Sequence, residues 1–270
     1  MNSKSTSIRQ MLDEDLDQVL KIIAAHDEDD AEEAQRDYQE GGISGQYVML
    51  LDNQLIGVSG AKRVEACDNT FKLSWTYIDK EYCNRGYGRQ LLQHLLDEII
   101  SCNGRKIFVY VSDYIDEDGV AIYAAALKLY QSLGFETELK IADYYDRGES
   151  LSVLGLALKP APSDPSELPS VISESPKIVF KQLYPVAETE NSYSFTWDTK
   201  FFGKSFSASD VKIGIDAAHD VEASMVLISF PSNFDNVTMP LFEAGFSLLG
   251  QLKDYYEDGI HEDHYSFRLY

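Results

Sequence analysis

Proline placement constrains this chain more than any other feature. Five of its eight prolines stand between residues 160 and 176 (Pro160, Pro162, Pro165, Pro169 and Pro176), with Ser163, Ser166, Ser170, Ser173 and Ser175 among them. Proline has no N–H to offer a ladder or a helix interior, and its ring clashes with the preceding turn. Such a stretch reads as an extended linker rather than as part of a sheet or helix. The 270-residue chain is therefore expected to hold two separately cored regions, residues 1–159 and 177–270, both of ordinary domain size.

Hydrophobic periodicity predicts the elements of the first region. Ile8–Met11 reads as a strand, and Asp13–Ala25 as a helix with Leu16, Val19, Leu20 and Ile23 at helical spacing. Residues 26–40 are polar and acidic and read as a loop with a short helix. Tyr47–Leu51, Gln54–Arg63 and Phe71–Asp79 read as strands, Gln90–Ser101 as a helix, and Lys106–Val111 as a buried strand. An alanine-rich helix, Ala121–Leu133, and two strands, Phe135–Ile141 and Leu151–Leu158, close the region. The expected class is α/β (α+β), a mixed sheet flanked by helices.

A repeat crosses the linker. Gly134-Phe135 followed by Asp143-Tyr144-Tyr145 and Gly148 recurs as Gly245-Phe246, Asp254-Tyr255-Tyr256 and Gly259, at a constant offset of 111 without a gap. An apolar stretch precedes each copy and a strand pattern follows. This is read as a duplicated helix–strand–turn–strand unit.

Composition excludes several function classes. Net charge is −22, spread as −12 over residues 1–159 and −10 over 160–270. Such a field repels nucleic acid and anionic membrane and attracts cations. No run of about 18 apolar residues is present to span a bilayer. The start carries no apolar leader, so the cytoplasm is the expected location. Three cysteines, Cys67, Cys83 and Cys102, form no CxxC pair, so neither a disulfide framework nor a zinc site is expected. Asp113, Asp116, Asp118 and Gly119 fail the EF-hand spacing, and His261-Glu262-Asp263-His264 is not HExxH, so no metal is expected.

One turn carries chemistry. The strand ending at Asp79 runs through Lys80-Glu81-Tyr82-Cys83-Asn84-Arg85-Gly86-Tyr87-Gly88-Arg89 directly into a helix. Two glycines between strand and helix let backbone N–H groups converge, and the helix N-terminus adds partial positive charge. That is a phosphate cradle, to which Arg85 and Arg89 add charge. The absence of GxGxxG and GK[ST] argues against a Rossmann or P-loop nucleotide site.

The segment Ile78–Leu92 resembles the coenzyme A pyrophosphate loop of the GNAT N-acetyltransferase superfamily. Farther on, Ala126-Leu127-Lys128-Leu129-Tyr130-Gln131-Ser132-Leu133-Gly134-Phe135 resembles that family's Ala-x-x-Leu-Tyr-x-x-x-Gly-Phe motif. The resemblance spans nearly all of residues 7–159. It implies a mostly antiparallel GNAT sheet, acetyl-CoA as donor, and transfer to the primary amine of a small molecule or peptide. Carried over residue by residue, it implies coenzyme contacts at Ile78, Cys83, Asn84, Arg85, Gly86, Tyr87, Gly88, Arg89 and Tyr123. Cys83 stands where the family carries Arg or Gln, and Tyr123 where it carries Asn. Tyr130 matches the family's tyrosine, the expected general acid for the leaving thiolate, and the Ile78 N–H is the expected oxyanion donor.

Acceptor residues are expected in the acidic segment that covers the family's second substrate, at Asp27, Glu28 and Asp30, and in the last hairpin at Tyr144 and Tyr145. In the second region Thr196–Gly203 resembles a Trp-Asp-x-x-Phe-Phe-Gly segment of GNAT amino-sugar acyltransferases, implying a smaller GNAT-like half domain without a coenzyme loop. The rival readings are a non-catalytic acyl-CoA-binding protein and an amino-sugar N-acyltransferase. Oligomeric state is left open.

Overall fold

The computed structural model describes residues 5–159, 177–200 and 207–269. The stretch read as a linker lies outside the described residues. The described residues form two sheets. The first is built from β1 (Thr6–Gln10), β2 (Gln46–Leu51), β3 (Gln54–Arg63), β4 (Thr70–Leu73), β5 (Tyr77–Ile78), β6 (Lys106–Ser112), β7 (Glu136–Asp146) and β8 (Glu149–Ala157). Its order is β1-β2-β3-β4-β6-β8-β7, with β5 also on β3. Only β4 and β6 pair in parallel. The mixed, mostly antiparallel sheet flanked by helices is the expected class.

Alternation along the strands decides which face each helix covers. Tyr47, Met49 and Leu51 of β2, with Ile107, Val109 and Val111 of β6, face α3 (Tyr87–Ser101) and α4 (Ala124–Ser132). Val48 of β2 and Val58 of β3 face α1 (Leu16–Ala24) and α2 (Glu28–Gly41) on the other side. Beyond those two helices the same face meets the second half of the chain.

That second half comprises β9 (Lys177–Pro185), β10 (Ser192–Lys200), α5 (Ala208–Asp220), β11 (Met225–Pro231), α6 (Asp235–Glu243), β12 (Ser247–Glu257) and β13 (Ile260–Arg268). The order is β12-β13-β11-β10-β9, again with one parallel pair, β10–β11. Val226, Ile228 and Phe230 of β11 face the helices. Met225 and Leu227 point the other way and join Phe108, Leu139, Ile141, Leu151, Val153 and Leu252 in one cluster. The two sheets therefore pack face to face, with α3 and α4 outside one and α5 and α6 outside the other. Gly250 permits the approach, since a Cβ there would stand 3.1 Å from Leu139 Cδ1. No helix among the described residues is long and apolar enough to cross a membrane.

The repeat read from the sequence recurs in the backbone. Helices α4 and α6 begin and end 111 residues apart. The pairings Glu136↔Gly155, Leu139↔Val153 and Ile141↔Leu151 become Ser247↔Ser266, Gly250↔His264 and Leu252↔Glu262, with the same register shifts between them. Asp143 and Asp254 hold φ of 52° and 53°, and each accepts a bond from the following glycine N–H at 2.9 Å. An aspartate tolerates that left-handed position because its own carboxylate closes the turn.

Three sequence expectations need correction. Residues 28–41 form one 14-residue helix rather than a loop with a short helix. Asp27 caps it, accepting from the N–H of Asp29 at 2.9 Å and of Asp30 at 3.3 Å, and the acidic first turn suits the helix dipole. Only Ala34 and Tyr38 are buried, too sparse a stripe for periodicity to register. The strand expected at 71–79 is two strands. Ser74 N bonds Gly60 O and Asp79 N bonds Ile56 O, so pairing with β3 slips by one residue across Ser74–Thr76, a bulge. Helix α3 begins at Tyr87, three residues earlier than expected, because Gly86 itself is its N-cap.

Candidate active site

The bulge opens the sheet. Parallel pairing of β4 with β6 ends at Lys72↔Phe108, while β6 continues to Ser112 and β5 runs on to Ile78. The two strands diverge, and the wedge between them is where α3 begins. Gly86 sits at φ 86°, and a Cβ there would meet nothing within 4 Å, so its outer side is open. A Cβ at Gly88 would lie 3.3 Å from Leu129 Cδ2 and 3.6 Å from Ile78 Cγ1, so this position has room for glycine and little more. Among the described residues, the N–H groups of residues 84–89 find no backbone acceptor. Unpaired donors around a left-handed glycine at a helix start form an anion cradle. The residues present thus fit the pyrophosphate of coenzyme A.

The flanking side chains are arranged differently from the sequence expectation. Arg89 donates to Ser132 Oγ, tying α3 to α4. Arg85 lies over the Tyr82 ring at 5.5 Å, and Tyr82 packs edge-on against Tyr87 at 6.4 Å. Asn84 holds φ 60°, a left-handed position suited to its side chain. Cys83 points its thiol at the Ile78 carbonyl, 3.4 Å away, and burial raises its pKa.

Ile78 occupies the inner edge of the wedge. Bonded and unbonded positions alternate in an antiparallel pair. Because Asp79 bonds Ile56, Ile78 turns its N–H and carbonyl away from β3. The carbonyl is met by His26 Nε2 at 2.8 Å, and a carbonyl only accepts, so Nε2 carries the proton. His26 belongs to the acidic segment, and nothing in the sequence pattern signals this contact. Behind it Tyr130 is 5 % exposed, packed against Phe135 at 5.6 Å between ring centroids. Burial pushes its hydroxyl pKa up to about 12, with the Thr76 side chain acting the other way. Tyr130 therefore stays protonated throughout the physiological range.

The Tyr123 hydroxyl is engaged by the acidic segment. It donates to Asp30 Oδ2 at 2.8 Å and lies 3.3 Å from Asp27 Oδ2, while the Tyr77 hydroxyl also bonds Asp30. Burial raises the pKa of Asp30 above the ordinary carboxyl value, and the two tyrosine hydroxyls act against the rise. Of the acidic residues expected at the acceptor, Asp27 and Asp30 converge here, whereas Glu28 is exposed on the first turn of α2.

Tyr144 and Tyr145 stand edge to face at 4.9 Å on β7, and burial pushes the Tyr144 hydroxyl up to about 12. Near them Lys72 lies 4.0 Å from the centre of the Tyr110 ring. Surrounding protein lowers the Lys72 pKa, and the facing Glu188 acts against that. The sequence offered no signal for Lys72, Tyr110 or Glu188. They come from two sheets and meet only through packing. No group of residues suited to a metal ion occurs among the described residues.

The corresponding place in the second half is built otherwise. Leu241 stands at the position of Tyr130, and the cap of α5 is Ser207 in an extended conformation, where that of α3 is the left-handed Gly86. Trp197 donates to Ser229 O at 3.1 Å and packs on Phe230 and Phe234, so the described part of the Trp-Asp motif serves the core. The rest of that motif, Phe201–Gly203, lies outside the described residues.

Residues 43–137 match the acetyltransferase (GNAT) domain family. A GNAT-family protein from Desulfovibrio desulfuricans superposes with a TM-score of 0.51 at 20% identity, over 57% of this chain and 100% of that one. The ribosomal-protein-S18-alanine N-acetyltransferase of Escherichia coli is 21% identical, with 59% of this chain and 98% of that one covered at a TM-score of 0.48. YncA of Salmonella typhimurium, solved with its cofactor acetyl-CoA, is 19% identical over 60% of this chain and 99% of that one, with a TM-score of 0.47. No curated protein matches the chain. The chain carries a GNAT acetyltransferase domain at residues 43–137.

Proposed function

We propose that the chain transfers an acetyl group from acetyl-CoA to a primary amine, and that the acceptor is cationic. The observation that carries this is the left-handed Gly86 cradle opening into the wedge beside a buried, protonated Tyr130. Acetyl-CoA supplies the activated acetyl group as a thioester. The chain's own residues supply the rest. N–H groups of residues 84–89 hold the pyrophosphate, and the Ile78 N–H, free of β3, polarises the acetyl carbonyl, a contribution of about 3 kcal/mol in oxyanion holes generally. Tyr130 holds the proton needed by the departing thiolate, and its pKa of about 12 keeps that proton in place until the thiolate forms beside it.

Asp30 is suited to take the proton of the incoming ammonium. It is half-buried, its pKa is raised, and Tyr77 and Tyr123 orient its oxygens. Tyr144 and Tyr145 wall the acceptor side. The second half is read as a truncated GNAT-like unit without chemistry of its own, supported by its repeated register and by Leu241 in place of Tyr130.

The test is calorimetry with acetyl-CoA on wild type and Gly86→Asp, beside an acetylation assay on a panel of amines. Asp at φ 86° is strained and puts negative charge in the cradle, so affinity should fall at least tenfold, about 1.4 kcal/mol. Unchanged affinity in the folded variant would remove the site. Tight binding without turnover on any amine would favour the non-catalytic reading.

A further inference from the structure

The two halves dock reciprocally. The turn between β3 and β4 is closed by Val64 N to Thr70 O at 2.8 Å, and the turn between β9 and β10 by Val186 N to Ser192 O, also 2.8 Å. Ala66 and Glu188 occupy the same left-handed position, at φ 55° and 61°. Each turn sits on the other half's tyrosine pair. Asp68 N donates to Tyr256 O at 2.6 Å, and Glu190 N donates to Tyr145 O at 2.8 Å.

The backbones match and the side chains do not. The surface of the second half receives Ala66 on its visiting turn, with Ser194 and Ser229 on the strands beneath; that of the first receives Glu188, with Lys72 and Tyr110 beneath. Both surfaces are polar, but on the second half the acid, Glu262, belongs to the surface itself and is bonded by Tyr256, Ser229 and His264, whereas on the first the acid is Glu188 of the visiting turn, near Asp30. Glu188 is accessible and, among the described residues, its carboxylate accepts no hydrogen bond. The nearby acids are otherwise engaged. Asp30 is held by Tyr77 and Tyr123, Glu33 by Arg36, and Asp37 by Trp75 Nε1 at 3.0 Å. Lys72 is drawn over Tyr110 and offsets only part of this negative charge.

We propose that Glu188, delivered across the joint by the second half, selects acceptors with a second ammonium group set apart from the amine that is acetylated. This rests on the acetyltransferase reading for the first amine. Asp30 receives the reacting amine, and Glu188 the distal charge, so the second half determines specificity without touching the reacting atoms.

The experiment uses the full chain saturated with coenzyme A, titrated calorimetrically with 1,4-diaminobutane, 1,6-diaminohexane and butylamine. Wild type should bind one of the diamines at least about tenfold more tightly than butylamine. Glu188→Gln, isosteric and suited to the same turn, should reduce that preference to within about twofold, with coenzyme A affinity unchanged. Glu188→Gln combined with Ala66→Glu restores the net charge on the equivalent turn and should not restore the preference. No preference in wild type, its survival in Glu188→Gln, or its return in the double variant would each overturn the proposal. Acetylation is measured separately on the same amines. Preference without turnover would refute the acetyltransferase reading and leave Glu188 as a diamine contact, whereas turnover without preference would refute Glu188 alone.

Discussion

Hairpins β7–β8 and β12–β13 share one backbone and do different work. Registers, bulges and left-handed aspartates coincide, because those are set by Gly134, Asp143 and Gly148 and their counterparts 111 residues on. The tyrosine pairs coincide too. What differs is what faces them. Tyr144 and Tyr145 lie within electrostatic reach of Glu188, which also faces Lys72, and Tyr145 within that of Asp30. Tyr256 donates to Glu262 Oε1 at 3.2 Å, a carboxylate that also takes Ser229 Oγ at 3.0 Å and His264 Nε2 at 2.9 Å. A carboxylate with that many partners is satisfied and structural. Turn chemistry therefore fixes a scaffold, and the residues opposite it decide whether the scaffold holds a ligand or only itself.

The strongest way to break the comparison is at Tyr130 and Leu241. Tyr130→Phe should lower kcat by about 10²–10⁴ with acetyl-CoA affinity nearly intact, measured by steady-state kinetics beside a titration. Leu241→Ala, at the equivalent position, should cost about 3 kcal/mol of stability through its cavity and leave kcat within about twofold. Equal turnover in wild type and Tyr130→Phe would return Tyr130 to the category of packing residues.

Next in size is the joint. Arg105 is 7 % exposed, and its guanidinium reaches Asp258 at 3.0 Å, Thr70 Oγ1 at 3.0 Å and Asp254 O at 2.8 Å. Arg105→Ala strands those partners and should cost about 3 kcal/mol, read as a drop in denaturation midpoint. Arg268, the arginine sent the other way, is exposed where it pairs with Asp143 at 3.0 Å. Arg268→Ala should cost well under half as much. Comparable losses would mean that the two docking contacts are energetically symmetric.

The helix starts sharpen the contrast further. Ser207 N and Oγ both bond Asp210, at 3.0 Å and 2.6 Å, capping α5 from within. Asp210→Ala should cost about 1 kcal/mol in stability and leave acetyl-CoA affinity unaltered. Any loss of affinity would give the second half a part in coenzyme binding.

The smallest effect is in acid. The Gly148 N–H, then Arg268, hold the Asp143 carboxyl below its ordinary value of 3.8. A carboxyl with a depressed folded pKa stabilises above its unfolded pKa and loses that contribution as pH falls through the folded value. The melting-temperature gap between wild type and Asp143→Asn should therefore narrow as pH drops from about 6 to about 3. A gap that stays constant would show that the carboxylate charge contributes nothing.

Much of the first sheet was legible because β2, β3 and β6 carry strong apolar runs and α3 a full stripe of leucines. The cradle was legible because Gly86 and Gly88 are local signals. Helix α2 was not, since its stability comes from the Asp27 cap and burial of Tyr38 rather than from a periodic stripe. The bulge at Ser74–Thr76 was not, since it depends on Gly57 admitting Ile78, whose Cδ1 would lie 2.4 Å from a Cβ there. The Tyr123 bond to Asp30 has no signal in the motif, because only tertiary packing fixes where a side chain at a helix start turns. Lys72 and Glu188 share no sequence neighbourhood at all.

The cluster between the sheets has a consequence for biosynthesis. Phe108, Leu139, Ile141, Leu151 and Val153 are all made before Met225, Leu227 and Leu252, which cover them. At roughly 5–20 residues per second, the interval between Val153 and Leu252 leaving the ribosome is about 5–20 s, far longer than a small domain needs to collapse. During that wait the nascent first sheet presents a bare apolar face. Its neighbours on the growing chain, or a chaperone, must tolerate that face until translation delivers the cover.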